Sequence, residues 1–275
     1  MKHSLFIAAA LLSALILLFS APAFAEDAFV PYTADELFTE RDLEQEADLF
    51  HAEEITVTSG KDVRITKEGV YVLSGAASGS TVYVEADPQD KVQLVLKGLS
   101  LANEGFPCIY ILTADKVFIT VAEDSSLTVT GEFRKDGDTK TDGTVFSVQD
   151  LVLNGTAALS VSSSANGIVC KDDLKITGGT YHIQAEKKAI EANDSIRVTG
   201  GTFNLAAGTD GLHAESKKDA SLGYICIFGG TFAIAAGDEG IQASSVLQID
   251  GGSFDIASSD GMAAPKIVFA GGGPK

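Results

Sequence analysis

Four copies of one tetrapeptide constrain this chain more than any other feature of it. Gly178-Gly179-Thr180-Tyr181, Gly200-Gly201-Thr202-Phe203, Gly229-Gly230-Thr231-Phe232 and Gly251-Gly252-Ser253-Phe254 follow one another at intervals of 22, 29 and 22 residues. A weaker copy, Asn154-Gly155-Thr156, stands 24 residues upstream of the first. A second landmark runs in phase: Asp142-Gly143, Asn166-Gly167, Lys188-Ala189, Asp210-Gly211, Glu239-Gly240 and Asp260-Gly261. Self-similarity at such a period marks a solenoid, whose repeats bury their apolar faces only by stacking on one another.

Within each repeat the apolar residues alternate, which is the period of a strand. Ile168-Val169-Cys170, Ile190-Glu191-Ala192, Leu212-His213-Ala214 and Ile241-Gln242-Ala243 read inward, outward, inward. After a polar corner a second strand points Leu174/Ile176, Ile196/Val198, Ile225/Ile227 and Leu247/Ile249 inward. Beyond the Gly-Gly corner a third does the same with Tyr181/Ile183, Phe203/Leu205, Phe232/Ile234 and Phe254/Ile256. The expected fold is all-β: a single-stranded right-handed parallel β-helix, or β-solenoid, of about 22 residues per rung. Phe203, Phe232 and Phe254 should form an internal ladder ended by Tyr181. Strand-like runs between residues 55 and 121 add roughly two or three rungs. Residues 131–142 read as a polar loop, and 215–223 as the insertion that stretches one rung to 29. Register keeps the thiols apart. Cys170 faces inward, Cys226 outward two rungs later, and Cys108 lies two rungs earlier. Two rungs are ~10 Å, beyond the ~7 Å a disulfide spans between Cα atoms, so three free thiols are expected.

Residues 1–25 read as a signal peptide. Lys2 and His3 precede an apolar run, and Ala23-Phe24-Ala25 offers the small residues of a cleavage site after Ala25. The run is too short to span a bilayer. The protein is therefore expected to be secreted, periplasmic or on the cell surface, with no membrane span. Residues 26–54 are acidic; Thr33-x-x-Glu36 has a capping-box pattern, but an irregular cap over the open end of the solenoid is the expected role. Residues 55–275 then form the β-helix. The sequence stops at Pro274-Lys275 part-way through a rung. That edge is expected to be blunted by residues 271–274, or covered by a protein partner or a second copy.

The formal net charge of −18 excludes nucleic acid and anionic membrane as partners, since both need a basic footprint. Stacking gives this charge a consequence: carboxylates at one position on neighbouring rungs lie ~5 Å apart and repel. Solvent, a cationic neighbour or a calcium ion bound through oxygen relieves them. Candidate calcium ligands are Asp172, Asp173 and Asp194 at the polar corner, and Glu215 at the start of the insertion. Asp210 and Asp238 in the landmark column and the outward Glu191 complete the set. Lys187 and Lys188, beside Asp210, offer neutralisation without metal. No serine-histidine-aspartate relay, phosphate loop or nucleotide fingerprint is present. The outward ladder of Thr180, Thr202, Thr231 and Ser253, with His182 and Asn204, is a candidate glycan-binding face, joined by Lys175 and Arg197 near the acidic corner.

Three stretches carry a resemblance: Ile65-Thr66-Lys67-Glu68-Gly69-Val70-Tyr71-Val72-Leu73-Ser74-Gly75, Lys91-Val92-Gln93-Leu94-Val95-Leu96-Lys97-Gly98, and the rungs around Asn166-Gly167-Ile168 and Lys171-Asp172-Asp173-Leu174-Lys175-Ile176-Thr177-Gly178-Gly179. The chain resembles, from about residue 37 to 262, secreted bacterial β-helix proteins described as carbohydrate-binding domain-containing proteins. The resemblance implies a pectate-lyase-like shape, bound calcium and affinity for plant cell-wall polysaccharide such as cellulose or pectic acid; it does not imply lyase activity. The family's acidic corner falls on Asp172, Asp173 and Asp194, and its rung start on Asp210-Gly211-Leu212. The chain departs from the family at Lys187-Lys188-Ala189, where an acidic pair and glycine are usual. The expected function is non-catalytic, calcium-assisted polysaccharide binding. Two alternatives stand beside it: a pectate-lyase-like polysaccharide lyase with Lys171, Lys175 or Arg197 as base, and a structural or adhesion protein of the cell surface.

Overall fold

The computed structural model describes residues 29–269. The chain divides into two units, Met1–Val30 and Pro31–Lys275, and the second holds the β-helix. The expected signal peptide and residues 271–274 lie outside the described residues. Among the described residues no helix is long and apolar enough to cross a membrane.

The strands make three faces, visited in turn once per rung, and every pairing between strands is parallel. The first face has nine strands, from Val63–Ile65 to Gly261–Ala263. The second runs from Glu53–Thr56 to Lys266–Val268, and the third ends at Ser253–Ala257. Gly69–Ser78 and Lys91–Glu104 round the corner between the second and third faces without a break, so those faces form one 16-stranded sheet. This is the right-handed parallel β-helix that the repeat implies.

The Gly-Gly corner has a separate reason for each glycine. A Cβ on Gly229 or Gly251 would lie 2.6 Å from the carbonyl oxygen of the rung below, Thr199 or Phe228. The second glycine of each pair is left-handed, with φ of 113° at Gly201 and Gly230, a region that L side chains resist. With both requirements met the rungs stack in register, and like falls on like: Tyr181, Phe203, Phe232 and Phe254 are successive partners. Their rings form a ladder, with centroids 5.4, 4.5 and 4.8 Å apart. It ends at Tyr181 because the next residue in register is Leu159; the Tyr181 hydroxyl donates to Gly178 O at 2.8 Å inside its own corner. Phe232, 1% exposed, sits mid-ladder, where truncation to alanine would open a cavity costing about 3–5 kcal/mol.

All three cysteines are buried and free. Cys108 and Cys170 belong to the central core, whereas Cys226 points outward from the second face and is covered from outside. Its cover is the acidic N-terminal segment, and here the structure departs from the expected end cap. Residues 32–45 form a strap lengthwise along the second face. Tyr32 stacks on Tyr224 at 4.9 Å. Its backbone N–H and C=O meet the Gln248 amide at 2.9 and 2.7 Å. Leu37 and Phe38 lie over Tyr224 and Cys226. Further along, Arg41 sits 4.5 Å over the Phe118 ring, and Gly155 N–H donates to Gln45 Oε1 at 3.1 Å. Two single turns of helix, Ala34–Leu37 and Glu40–Leu43, set its path. The Thr33-x-x-Glu36 pattern operates in the first, where Thr33 N–H donates to Glu36 Oε2 at 3.0 Å. A strap wins over an end cap because the second face carries outward Phe118, Val152 and Cys226, apolar surface that water would otherwise meet.

Candidate functional site

The outward column of the first face reads Tyr110, Phe146, Val169, Glu191, His213 and Gln242. Two excursions from the repeat rise beside it, the loop at 131–142 and the insertion at 215–223. Between them lie two adjoining grooves. One of about 590 Å³ is lined by Asp172, Asn193, Asp194 and Lys218. The other, of about 520 Å³, is lined by Lys140, Asp142, Asn166, Lys187, Lys188 and Thr209. Both share Lys171, Glu191, Glu215 and Lys217, so they make one cleft with an acidic and a basic end.

At the acidic end stacking crowds carboxylates together. Burial and the neighbouring Asp172 and Asp173 push the Asp150 carboxyl up to about 6. Burial, then Asp194 and Asp173, raise Asp172; burial and Asp173 raise Asp194 as well. Asp173 is different, because its oxygens are occupied: Ser195 Oγ donates to Oδ1 and Arg197 Nη2 to Oδ2, each at 2.6 Å. The open acids of this corner are thus Asp172 and Asp194, with Asp150 one rung before Asp173.

Glu191 lies only one rung away from Asp172's neighbourhood yet behaves oppositely. Lys171 reaches one of its oxygens at 3.1 Å; Lys188, at 3.4 Å, and the Asn166 amide, at 3.1 Å, reach the other. Burial alone would raise its carboxyl, but Lys171 and Lys188 hold it below the usual range. These partners fill the role proposed for a metal, so Glu191 is removed from the candidate ligands. Glu215 is likewise drawn to Lys217 at 3.4 Å and to His213 Nε2 at 3.8 Å.

Asp210 and Asp238 meet in a second carboxylate group, together with Glu239. One oxygen from each lies within 4.8 Å of the others, a spread that an ion with ligands at ~2.3–2.6 Å can bridge. Burial, Asp210 and Asp238 raise Glu239. Burial pulls Asp210 up, but His213 and Glu239 together hold it below the usual range. His213 Nδ1 is 2.8 Å from Asp210 Oδ2 but off the direction that a hydrogen bond needs. The donor chemistry of both groups, hard carboxylate oxygens crowded together, fits calcium.

Lys175 requires a correction. It is 6% exposed beneath the strap, where Asp42 accepts from it at 2.7 Å. Asp42 is fully buried and also faces Lys116 at 3.4 Å. Burial would raise the Asp42 carboxyl, yet the Lys175 hydrogen bond and the Thr39 amide hold it low. Lys175 therefore cannot meet a glycan or act as a base. Arg197, tied to Asp173 and lying 5.3 Å over the Tyr224 ring, is committed to the same face. Thr180, Thr202, His182 and Asn204 stand away from the cleft on the third face, in register on neighbouring rungs. His182 Nδ1 and the Asn204 amide are 3.2 Å apart beside a shallow hollow of about 380 Å³.

Sequence reasoning passed over Asp150, Lys140 and Thr209 as site residues, and placed Asp142 and Glu239 in the landmark column without choosing them as ligands. Asp150 was legible, since it occupies the position before Leu151 that Asp173 occupies before Leu174. Lys140 had no such signal, because it belongs to a loop outside the repeat.

The family described as carbohydrate-binding domain-containing protein matches residues 59–269 of this chain. A carbohydrate-binding domain-containing protein of Acetivibrio thermocellus is 33% identical over 132 residues, which is 46% of each chain. The match thus spans just under half the length of that relative. A solved polysaccharide lyase-like protein from C. thermocellum, in a gadolinium derivative, superposes with a TM-score of 0.72 at 27% identity. The superposition covers 78% of this chain and 95% of that one.

Proposed function

The chain belongs to the family of carbohydrate-binding domain-containing proteins, and on that premise we propose that it binds polysaccharide outside the cell without cleaving it. The polysaccharide is of the plant cell-wall type, cellulose or pectic acid, and calcium assists its binding. The observation that carries this reading is the open acidic end of the cleft. Asp172 and Asp194 line it, and their carboxyls and that of nearby Asp150 are raised by burial and by neighbouring carboxylates despite Lys171, Lys217 and Lys218 in the same lining. Bound calcium would supply further positive charge and could share an acidic glycan's carboxylate with the protein. Asp172, Asp194, Asp210, Asp238 and Glu239 are the residues that would hold it. For a neutral chain such as cellulose, the uncharged third face around Thr202, His182 and Asn204 is the matching surface.

The polysaccharide lyase reading needs a base to take a proton beside a uronate carboxylate. Its three sequence candidates are all engaged: Lys175 with Asp42, Arg197 with Asp173 and Lys171 with Glu191. Pull-down on insoluble cellulose and on polygalacturonate gel, with calcium or with EDTA, tests the proposal. Retention on either glycan that weakens with EDTA is expected, with no ultraviolet-absorbing unsaturated product from polygalacturonate. Absence of retention on both glycans under both conditions would overturn it.

A further inference from the structure

The basic end of the cleft runs against the charge of the whole molecule. The chain has 38 acidic and 20 basic residues, yet five lysines face three carboxylates in the 520 Å³ groove. Lys171 and Lys188 share Glu191, Lys140 holds Asp142 Oδ2 at 3.1 Å, and Lys217 holds Glu215. That leaves a local excess of positive charge, with Lys187 lining the groove and forming no ion pair among the described residues. A second observation points the same way. Asp142 is 9% exposed, and its Oδ1 has no hydrogen-bond partner. Thr209 Oγ1, from another lining residue, is buried without a partner as well. An unpaired buried polar atom is destabilising, and both side chains would relieve this by turning toward a hydroxylated ligand in the groove.

The two observations together define the ligand. Ammonium groups call for an anion. A carboxylate oxygen only accepts, so Asp142 calls for a hydroxyl donor on that same ligand. A bare inorganic anion meets the first requirement and fails the second, whereas a neutral sugar does the reverse. A hydroxylated acid meets both. We infer that this groove is a subsite for one acidic sugar residue of a polyuronate, held through lysine and therefore independent of calcium. The inference rests on the polysaccharide-binding reading and adds to it a site where the protein supplies the cation itself. Because this groove shares four residues with the acidic one, a longer chain could occupy both, using lysine at one end and bound metal at the other.

The test is calorimetric titration of a short oligogalacturonate into the whole protein in excess EDTA, with a cello-oligosaccharide of equal length as control. Lys187→Glu combined with Lys217→Glu reverses two exposed charges; a melting curve checks that the fold is retained. Thr209→Val removes one orphan hydroxyl without changing charge. Binding of the acidic ligand alone is expected, weakened about tenfold or more by the double reversal and less by Thr209→Val. Binding in EDTA that ignores the reversal overturns the subsite. Binding that appears only with calcium overturns it too, while leaving the wider reading intact. Failure of the protein to retain any glycan in the pull-down above removes both.

Discussion

Glu191 and the Asp172–Asp194 corner obey the same stacking rule and reach opposite ends. Each puts carboxylates within a rung's height of other charged groups. Around Glu191 the neighbouring positions hold Lys171 and Lys188, and the carboxyl is driven down. At the corner the neighbouring positions hold more acid, and the carboxyls are driven up. The direction of the shift thus separates charge balanced within the chain from charge left for something outside to balance. Asp42, fully buried between Lys175 and Lys116, is the extreme of the first kind.

The largest effect should come from breaking that extreme. Asp42→Ala leaves Lys175 buried without its partner and should lower stability by about 3–5 kcal/mol, read from denaturant unfolding. Saturating the corner should come next. Calcium at about one hundred times the corner's dissociation constant should add about 2.7 kcal/mol there, and Asp172→Asn with Asp194→Asn should remove that share of the gain. Glu191→Gln removes the negative charge that balances two ammonium groups and should cost about 2 kcal/mol, with or without calcium. If chelation instead changes the Glu191→Gln protein and not the corner variant, the division between the two regions is wrong.

The pH dependence sharpens the contrast with smaller effects. In EDTA the folded corner keeps protons, up to about 6 at Asp150, that the unfolded chain has already released. Stability should therefore rise as pH falls from about 7 to about 5, because the native state binds more protons in that window. Glu191 and Asp42 have the opposite sign. Their contribution is present above the ordinary carboxylate pKa and is lost as pH falls through their depressed values. A melting profile in EDTA should accordingly show a maximum near about pH 5, flattened on its alkaline side by Asp172→Asn.

The rungs were legible because period and register are local properties. The Gly-Gly pairs, the alternation and the aromatic ladder each need only one repeat and its neighbour to be read. The acidic corner was half legible for the same reason, and Asp150 needed only one more rung of the same column. The strap was not. Tyr32 meets Gln248 across 216 positions, and Asp42 meets Lys175 across 133; no pattern in residues 31–50 names those partners. A hint stood on the other side of the contact. Outward positions of the third face are occupied by Ser160, His182 and Asn204, as water requires. The corresponding column of the second face includes apolar Phe118, Val152 and Cys226 beside Lys175 and Arg197. The lysine end of the cleft escaped notice because a loop and a repeat position, Lys140 and Lys187, come together only in three dimensions.

The lengthwise run of residues 32–45 changes how the solenoid can come apart. A column of rungs joined only to their neighbours can fray from either tip, one turn at a time. A batten fastened at the Gln248 turn and again near Phe118 links turns that otherwise never touch, so loosening one of them loosens the rest. It also inverts the order of assembly relative to the order of synthesis. The segment leaves the ribosome before any rung exists, yet its berth is complete only when the turn bearing Gln248 has formed. Its docking is a late event that registers the whole column as built.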